Sequence, residues 1–335
     1  MINNKIVSAI TTSGTITIGN YLGMIKRLLA CQKDFQLFIF AADLHSLSTL
    51  KNQKEKINLQ QRILDTIILY YACGLNKNNI IFIQSEIWAH PYLAYLLMTH
   101  INLGELQRMI QFKEKSLLFK SKNKTNFIPS GLLFYPCLMA ADILLYDPKY
   151  VVVGKDQKQH LELTQNIASR INKKYHNVFT IPKIYDFDFK NKIYNLQDPN
   201  LKMSKSSADK NSYISLFDSK KEVKTKILKA VTDSENKVYF DLKTKKGISN
   251  LLIIYAGLKD ITIKEAELEF KNSNYYQFKL AIIAEINQTL SLIQTRYQEI
   301  KKNWDLKSLL AINKKKAQKI ADAKIEFFLK KLDLK

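Results

Sequence analysis

Two lysines three positions apart, Lys202 and Lys205 in Lys202-Met203-Ser204-Lys205-Ser206, lie in a polar stretch of the chain. Paired ammonium groups of this kind can neutralise charge that develops on a pyrophosphate as it leaves a triphosphate, an electrostatic form of catalysis that requires no proton transfer. A solvated Lys-rich surface loop is the plainer reading of that stretch taken alone. Far upstream, Thr17-Ile18-Gly19-Asn20 stands where a turn-rich segment enters a helix. Free N–H groups and the helix dipole at such a position favour an anion, although an ordinary N-terminal cap explains a single Gly equally well. Together the two elements point to phosphate chemistry much more specifically than either does by itself.

The elements that must carry them read as an alternation. Residues 5–10 are a short strand, followed by the turn-rich Thr11-Thr12-Ser13-Gly14 and a helix from near Gly19, with Leu22, Ile25, Leu28 and Leu29 at helical spacing. Residues 35–42 form a continuous apolar run, the mark of a strand covered on both faces, and 57–71 return to helical periodicity. The strand signal recurs at 80–84 and 150–153, with a helical stretch at 157–171. Such βαβ alternation predicts an α/β fold with a doubly wound parallel sheet. Beyond Lys205 the strand signal fades, and 222–231, 261–269, 276–297 and 306–332 read as helices of a second, all-helical domain. Residues 113–126 are basic and polar and read as a solvated loop or a functional lid.

At 335 residues the chain exceeds one usual hydrophobic core, so two domains are expected. With 46% hydrophobic residues but only 9 Gly and 6 Pro, it is not a disordered or low-complexity chain. A net charge of +22 makes nucleic acid the leading class of partner, while the bias toward Lys, Asn and Ile also fits AT-rich codon usage. Cys31, Cys73 and Cys137 match neither a disulfide framework nor a zinc spacing, so reduced structural thiols are expected. No apolar signal region opens the chain, and no segment approaches about eighteen uninterrupted apolar residues, so no membrane association and a cytoplasmic location are expected.

The lysine motif downstream of a first-strand loop resembles that of the class I aminoacyl-tRNA synthetases, and Thr17 to Asn20 looks like their H-I-G-H element. The likeness is closest to the tryptophanyl branch, through residues 16–23 (ITIGNYLG), 111–115 (QFKEK), 135–146 (YPCLMAADILLY), 154–164 (GKDQKQHLELT), 231–235 (VTDSE) and 247–252 (GISNLL). The resemblance implies a Rossmann-like catalytic domain over 1–196 plus 298–335, with an inserted segment at about 85–130. It also implies a helical anticodon-recognition domain over 197–297 and a final helix that returns to the catalytic domain. Tryptophan, ATP with Mg²⁺ and tRNA are the implied substrates. A homodimer is implied, with each tRNA spanning both subunits, no prosthetic group, no metal ligand from protein side chains and no DNA.

Residue by residue, the resemblance places the indole N–H against Asp142. Met139, Ile143 and Val153 would line the ring, Tyr135 and Gln157 would hold the α-amino end, and His45 would border the same pocket. Met139 and Ile143 also fit simple core packing, and His45 a structural histidine. The nucleotide would meet Thr11, Thr12, Ser13, Thr17, Gly19 and Asn20 on one side. Val153, Gly154, Asp156 and Gln157 would lie beside the ribose, with Lys202, Met203, Ser204, Lys205 and Ser206 on the phosphates. Lys113, Lys202 and Lys205 are the implied catalytic cations. The family's opening loop usually reads G-x-Q-P-S-G, whereas this chain has Ala9-Ile10-Thr11-Thr12-Ser13-Gly14. Threonine for proline predicts a looser loop and weaker ATP binding. Lys155 and Ser207 replace acidic residues common in the family. A tyrosyl sister enzyme would carry Q-x-x-D where this chain has Met139-Ala140-Ala141-Asp142, and an RNA-binding paralogue without catalysis is the other competing reading.

Overall fold

The computed structural model describes residues 4–12, 15–47, 59–122, 128–154, 157–185, 192–204, 207 and 209–335. Five strands, β1 (Lys5–Thr11), β2 (Gln36–Ala42), β3 (Ile80–Ile83), β4 (Tyr150–Val151) and β5 (Lys183–Ile184), form one parallel sheet in the order β3-β2-β1-β4-β5. The fold is the Rossmann-like α/β class expected from the alternation. Side chains of successive strand residues leave on opposite faces. Ile6, Leu37, Ile39 and Ile81 accordingly enter one core, while Val7, Phe38, Phe40 and Phe82 enter another. Both faces are covered, which is why β2 reads as an apolar run.

β4 is shorter than the sequence suggested. Val152 leaves the ladder, yet its N–H donates to Val7 O (3.3 Å) and its carbonyl accepts from Ser8 Oγ (2.9 Å). β5 was not foreseen, because its two residues are exposed at the sheet edge and show no apolar pattern. The reading of 113–126 as a loop is corrected over its described part, since Ile110–Lys122 is a helix. Lys, Glu and Gln are good helix formers, so a polar, basic composition does not by itself argue against helix.

The helices Lys220–Leu228, Lys246–Lys259, Ile263–Glu269 and Tyr275–Asn303 follow the sheet. The Lys246–Lys259 helix is buried continuously from Ile248 to Leu258 and therefore offers no amphipathic pattern to read. The Leu306–Lys331 helix returns to the sheet, packing Ala317, Ala321, Ile325 and Phe328 into the core shared with Phe40 and Phe82. Its buried Asn313 donates Nδ2–H to Ile81 O (3.1 Å), covering the otherwise open β3 edge. All three cysteines are free and buried, and burial pushes their thiols up to about 12. No helix among the described residues is long and apolar enough to cross a membrane.

Candidate active site

The loop after β1 and the lysine motif meet. Thr17 and Asn20 form a reciprocal cap, with the Asn20 N–H donating to Thr17 Oγ1 (3.3 Å) and the Thr17 N–H to Asn20 Oδ1 (3.0 Å). The Ile18 N–H donates to Ile214 O (2.9 Å), the Leu216 N–H to Ile16 O (3.0 Å), and Thr17 bridges Ser215 in antiparallel fashion. The N–H groups of Thr17, Ile18, Asn20 and Tyr21 are thus all engaged inside the protein, which narrows what this helix start can offer a phosphate. Gly19 has a different use. A Cβ there would lie 3.4 Å from Met203 Sδ, at contact distance, so the lysine motif packs directly on the helix start.

Met203 is buried, while Lys202 and Ser204 beside it are exposed. The methionine anchors the motif and leaves its polar neighbours at the surface. The segment is folded back on itself through the Tyr194–Lys202 bridge and the bonds Met203 N–H to Ile193 O (3.1 Å) and Asn195 N–H to Leu201 O (2.9 Å). From the Lys246–Lys259 helix, buried Asn250 grips it through both the N–H and the carbonyl of Tyr194.

A second constellation gathers at the carboxyl ends of β2 and β3, the side of a parallel sheet where ligands bind in open α/β folds. Asp142, on the Ser130–Leu144 helix, is 2% exposed. Its Oδ2 accepts from His45 Nε2 (2.8 Å), and its Oδ1 faces His90 Nδ1 (2.6 Å). Gln84 Nε2 straddles both oxygens at 2.8 and 2.9 Å. Gln84 Oε1 accepts from the Leu44 N–H (3.2 Å), which turns the amide so that its nitrogen faces the carboxylate. Buried Asp43 ties the two strand ends, accepting from the Ser85 N–H (3.0 Å) and Ser85 Oγ (2.5 Å). Burial opposes ionisation of Asp142, yet the hydrogen bonds from His45 and His90 outweigh it and hold the carboxyl at about 2. The group is a buried carboxylate at neutral pH.

Tyr135 stands beside this cluster, its ring nearly perpendicular to His45 at 6.3 Å. Its hydroxyl donates to Gln111 Oε1 (3.1 Å) and meets His160 Nε2 at 2.5 Å. Burial raises its phenol above the usual range, and the Lys115 ammonium lies 5.3 Å from the ring centre. Ile143 is buried, with Met139 and Val153 half-buried against the same core. Gly154 is exposed, and its carbonyl accepts the Gln157 N–H (2.9 Å) where Gln157 opens the Lys158–Tyr175 helix. Lys113 is exposed on the Ile110–Lys122 helix. Thr11 ends β1. Ser13, Asp156, Lys205 and Ser206, together with Lys155, lie outside the described residues.

Two findings depart from the sequence reading. Thr12 is fully buried, its N–H donating to Ser46 Oγ and its hydroxyl meeting the same oxygen, each at 2.9 Å. The threonine is fastened rather than loose, and a proline there would forfeit the first of these bonds. Gln84 and His90 were not singled out from the sequence. The available signal was a polar glutamine at the carboxyl end of an apolar strand in a parallel sheet; His90 gave none.

The family description tRNA synthetases class I (W and Y) matches residues 3–291. The tryptophan–tRNA ligase of Malacoplasma penetrans (strain HF-2) is 45% identical over 331 residues, covering 98% of this chain and 98% of its own. A crystal structure of tryptophanyl-tRNA synthetase from Mycoplasma pneumoniae aligns with a TM-score of 0.91 at 37% identity, covering 100% of this chain and 99% of that one. The Campylobacter jejuni synthetase, solved complexed with ADP and tryptophan, aligns with a TM-score of 0.77 at 29% identity, covering 98% and 100%. Matched along nearly its whole length, the chain belongs to the class I tRNA synthetases of the tryptophanyl and tyrosyl family.

Proposed function

We infer that this chain is a tryptophan–tRNA ligase: it activates tryptophan with ATP, taken as its magnesium complex, to the adenylate and pyrophosphate, then transfers tryptophan to the 3′ end of its tRNA. The observation that carries the choice of amino acid is the ionised, buried Asp142 at the strand ends. A carboxylate is an acceptor only and suits the single donor of an indole. Phenylalanine has no donor to offer that acceptor, and a site built to hydrogen-bond a substrate N–H can reject an analogue lacking it by roughly 10⁴ to 10⁵.

In the first step the tryptophan carboxylate attacks the α-phosphorus in line, and the bond from that phosphorus to the bridging oxygen breaks. The attacking group is already ionised, so no general base is needed. Alignment and charge do the work, through Lys113, Lys202 and Lys205. The contact between Gly19 and Met203 supports this reading, because it brings the lysine motif to the loop that follows β1. Tyr135 and Gln157 hold the α-amino end. The opening-loop positions Thr11 and Ser13, with Thr17, Asn20, Val153, Gly154, Asp156, Ser204 and Ser206, border the nucleotide, and Thr12 holds the loop from behind through Ser46.

The helices over residues 197–297 read the tRNA, and the net charge of +22 supports a polyanionic partner. A second copy of the chain covers the face bearing Trp88, Tyr92 and Tyr95, aromatic side chains 49%, 39% and 63% exposed. Amino-acid-dependent ATP–pyrophosphate exchange over all twenty standard amino acids tests the assignment. Rapid exchange with tryptophan alone is expected, and equal rates with tyrosine overturn it.

A further inference from the structure

The carboxylate of Asp142 has about four lone-pair positions, and the surrounding side chains fill them unequally. His90 and Gln84 are both fully buried, whereas the side chain of His45 retains 12% of its exposure. The side of the carboxylate nearest to solvent is therefore that of Oδ2, where His45 lies. Whether Oδ2 is presented squarely depends on what holds the other oxygen. Because an ionised carboxylate only accepts, His90 Nδ1 must carry the proton in the 2.6 Å bond to Oδ1. The other ring nitrogen, Nε2, meets the hydroxyl of buried Tyr146 at 2.9 Å. The result is a hydrogen-bonded chain from the Tyr146 hydroxyl through His90 to Asp142 Oδ1. Tyr146 stacks on Phe38 of β2, with ring centres 4.8 Å apart, so the chain is referred to the rigid sheet.

We propose that His90 is a positioning residue for indole recognition, holding Asp142 Oδ1 from behind so that Oδ2 alone is offered to the substrate N–H. The proposal rests on the reading that Asp142 accepts the indole N–H, and the test separates the two. The probe is β-(benzothiophen-3-yl)alanine, which has the shape of tryptophan with sulfur in place of N–H. The readout is the ratio of kcat/KM for tryptophan over this analogue in pyrophosphate exchange, with kcat at saturating tryptophan measured alongside.

His90→Leu should lower that ratio by about tenfold, through KM, with kcat within about twofold of the parent. His90→Asn, whose amide nitrogen can stand in for Nδ1, should recover most of the loss. Tyr146→Phe should move the ratio less, in the same direction. An unchanged ratio in His90→Leu, even with a lowered Tm, overturns the proposal and leaves His90 a structural residue. If His90→Leu does not fold, His90→Asn is set against His90→Gln, whose amide reaches the Nε2 position instead. A ratio retained in the Asn variant and lost in the Gln variant supports the proposal, and equal ratios overturn it. Asp142→Asn is run beside them. If that variant keeps the parent ratio, the assignment of the indole N–H to Asp142 is itself wrong, whatever the His90 variants do.

Discussion

Asn250 grips Tyr194 by both of its backbone polar groups: the Tyr194 N–H donates to Oδ1 at 2.8 Å, and Nδ2 donates to the Tyr194 carbonyl at 2.9 Å. Tyr194 bridges Lys202, so a residue of the helical region sets the backbone on which the lysine motif hangs. Asn250→Ala should therefore slow adenylate formation by about tenfold, the scale of a small misplacement of a catalytic group, while tryptophan affinity stays near the parent value. Two backbone groups lose their partners as well, at about 1–3 kcal/mol of stability each if they stay buried. Single-turnover rates beside equilibrium tryptophan titration check this, and equal losses in both would show a general unfolding of the site.

Lys205→Ala should slow adenylate formation by about 10² to 10³ with little change in ground-state tryptophan binding, because its charge is needed chiefly as pyrophosphate leaves. Rapid-quench measurement of the first turnover reads the effect directly. Loss of tryptophan affinity instead would make the lysine structural.

Thr12→Pro removes a buried N–H donor to Ser46 Oγ. The acceptor is left short of one partner, and the expected cost is about 1–3 kcal/mol of stability with a raised KM for ATP. Thermal melts and exchange kinetics test it together. A lowered KM would restore the view of the opening loop as merely slack.

The carboxyl of Asp142 titrates at about 2 in the folded chain and near 4 when unfolded. A depressed folded value means that its contribution to stability is complete above the unfolded pKa and is lost as pH falls through the folded one. Urea midpoints measured from about pH 7 down to pH 2 should decline in acid, more steeply in the parent than in Asp142→Asn. Equal slopes would place the acid-labile carboxylates elsewhere.

The parts of this architecture legible in the sequence were those that announce themselves by periodicity or composition. β2 and β3 are largely apolar runs, β1 is a stretch rich in β-branched residues leading into a polar turn, and Tyr275–Asn303 and Leu306–Lys331 keep a helical stripe. β5 has two exposed residues and owes its pairing to Val151 and Lys149 rather than to its own pattern. The Lys246–Lys259 helix is buried all round, which erases the stripe. The site divides in the same way. Asp142, His45 and Tyr135 were reachable through motifs resembling those of a known family. Gln84 and His90 reach the carboxylate only because the β3 end, the Ala89–Met98 helix and the Ser130–Leu144 helix converge in space. Nothing in linear spacing encodes that convergence. Thr12 shows the complementary failure: a substitution that looks permissive in sequence is fastened by Ser46, thirty-four residues away.

The bond from Asn313 to Ile81 spans 232 positions of the chain. Its consequence concerns synthesis rather than catalysis. While the ribosome is extending the chain, β1, β2 and β3 can emerge and pair, but the open side of β3 stays bare until the Leu306–Lys331 helix has been made. At about 5–20 residues added per second, that interval lasts on the order of ten seconds or more, long compared with hairpin and helix formation. The nascent chain therefore carries an apolar, unsatisfied strand edge through most of its elongation. A stop codon before Leu306 would make that exposure permanent, and such a fragment should collect in chaperone complexes and aggregates rather than persist as a smaller soluble enzyme.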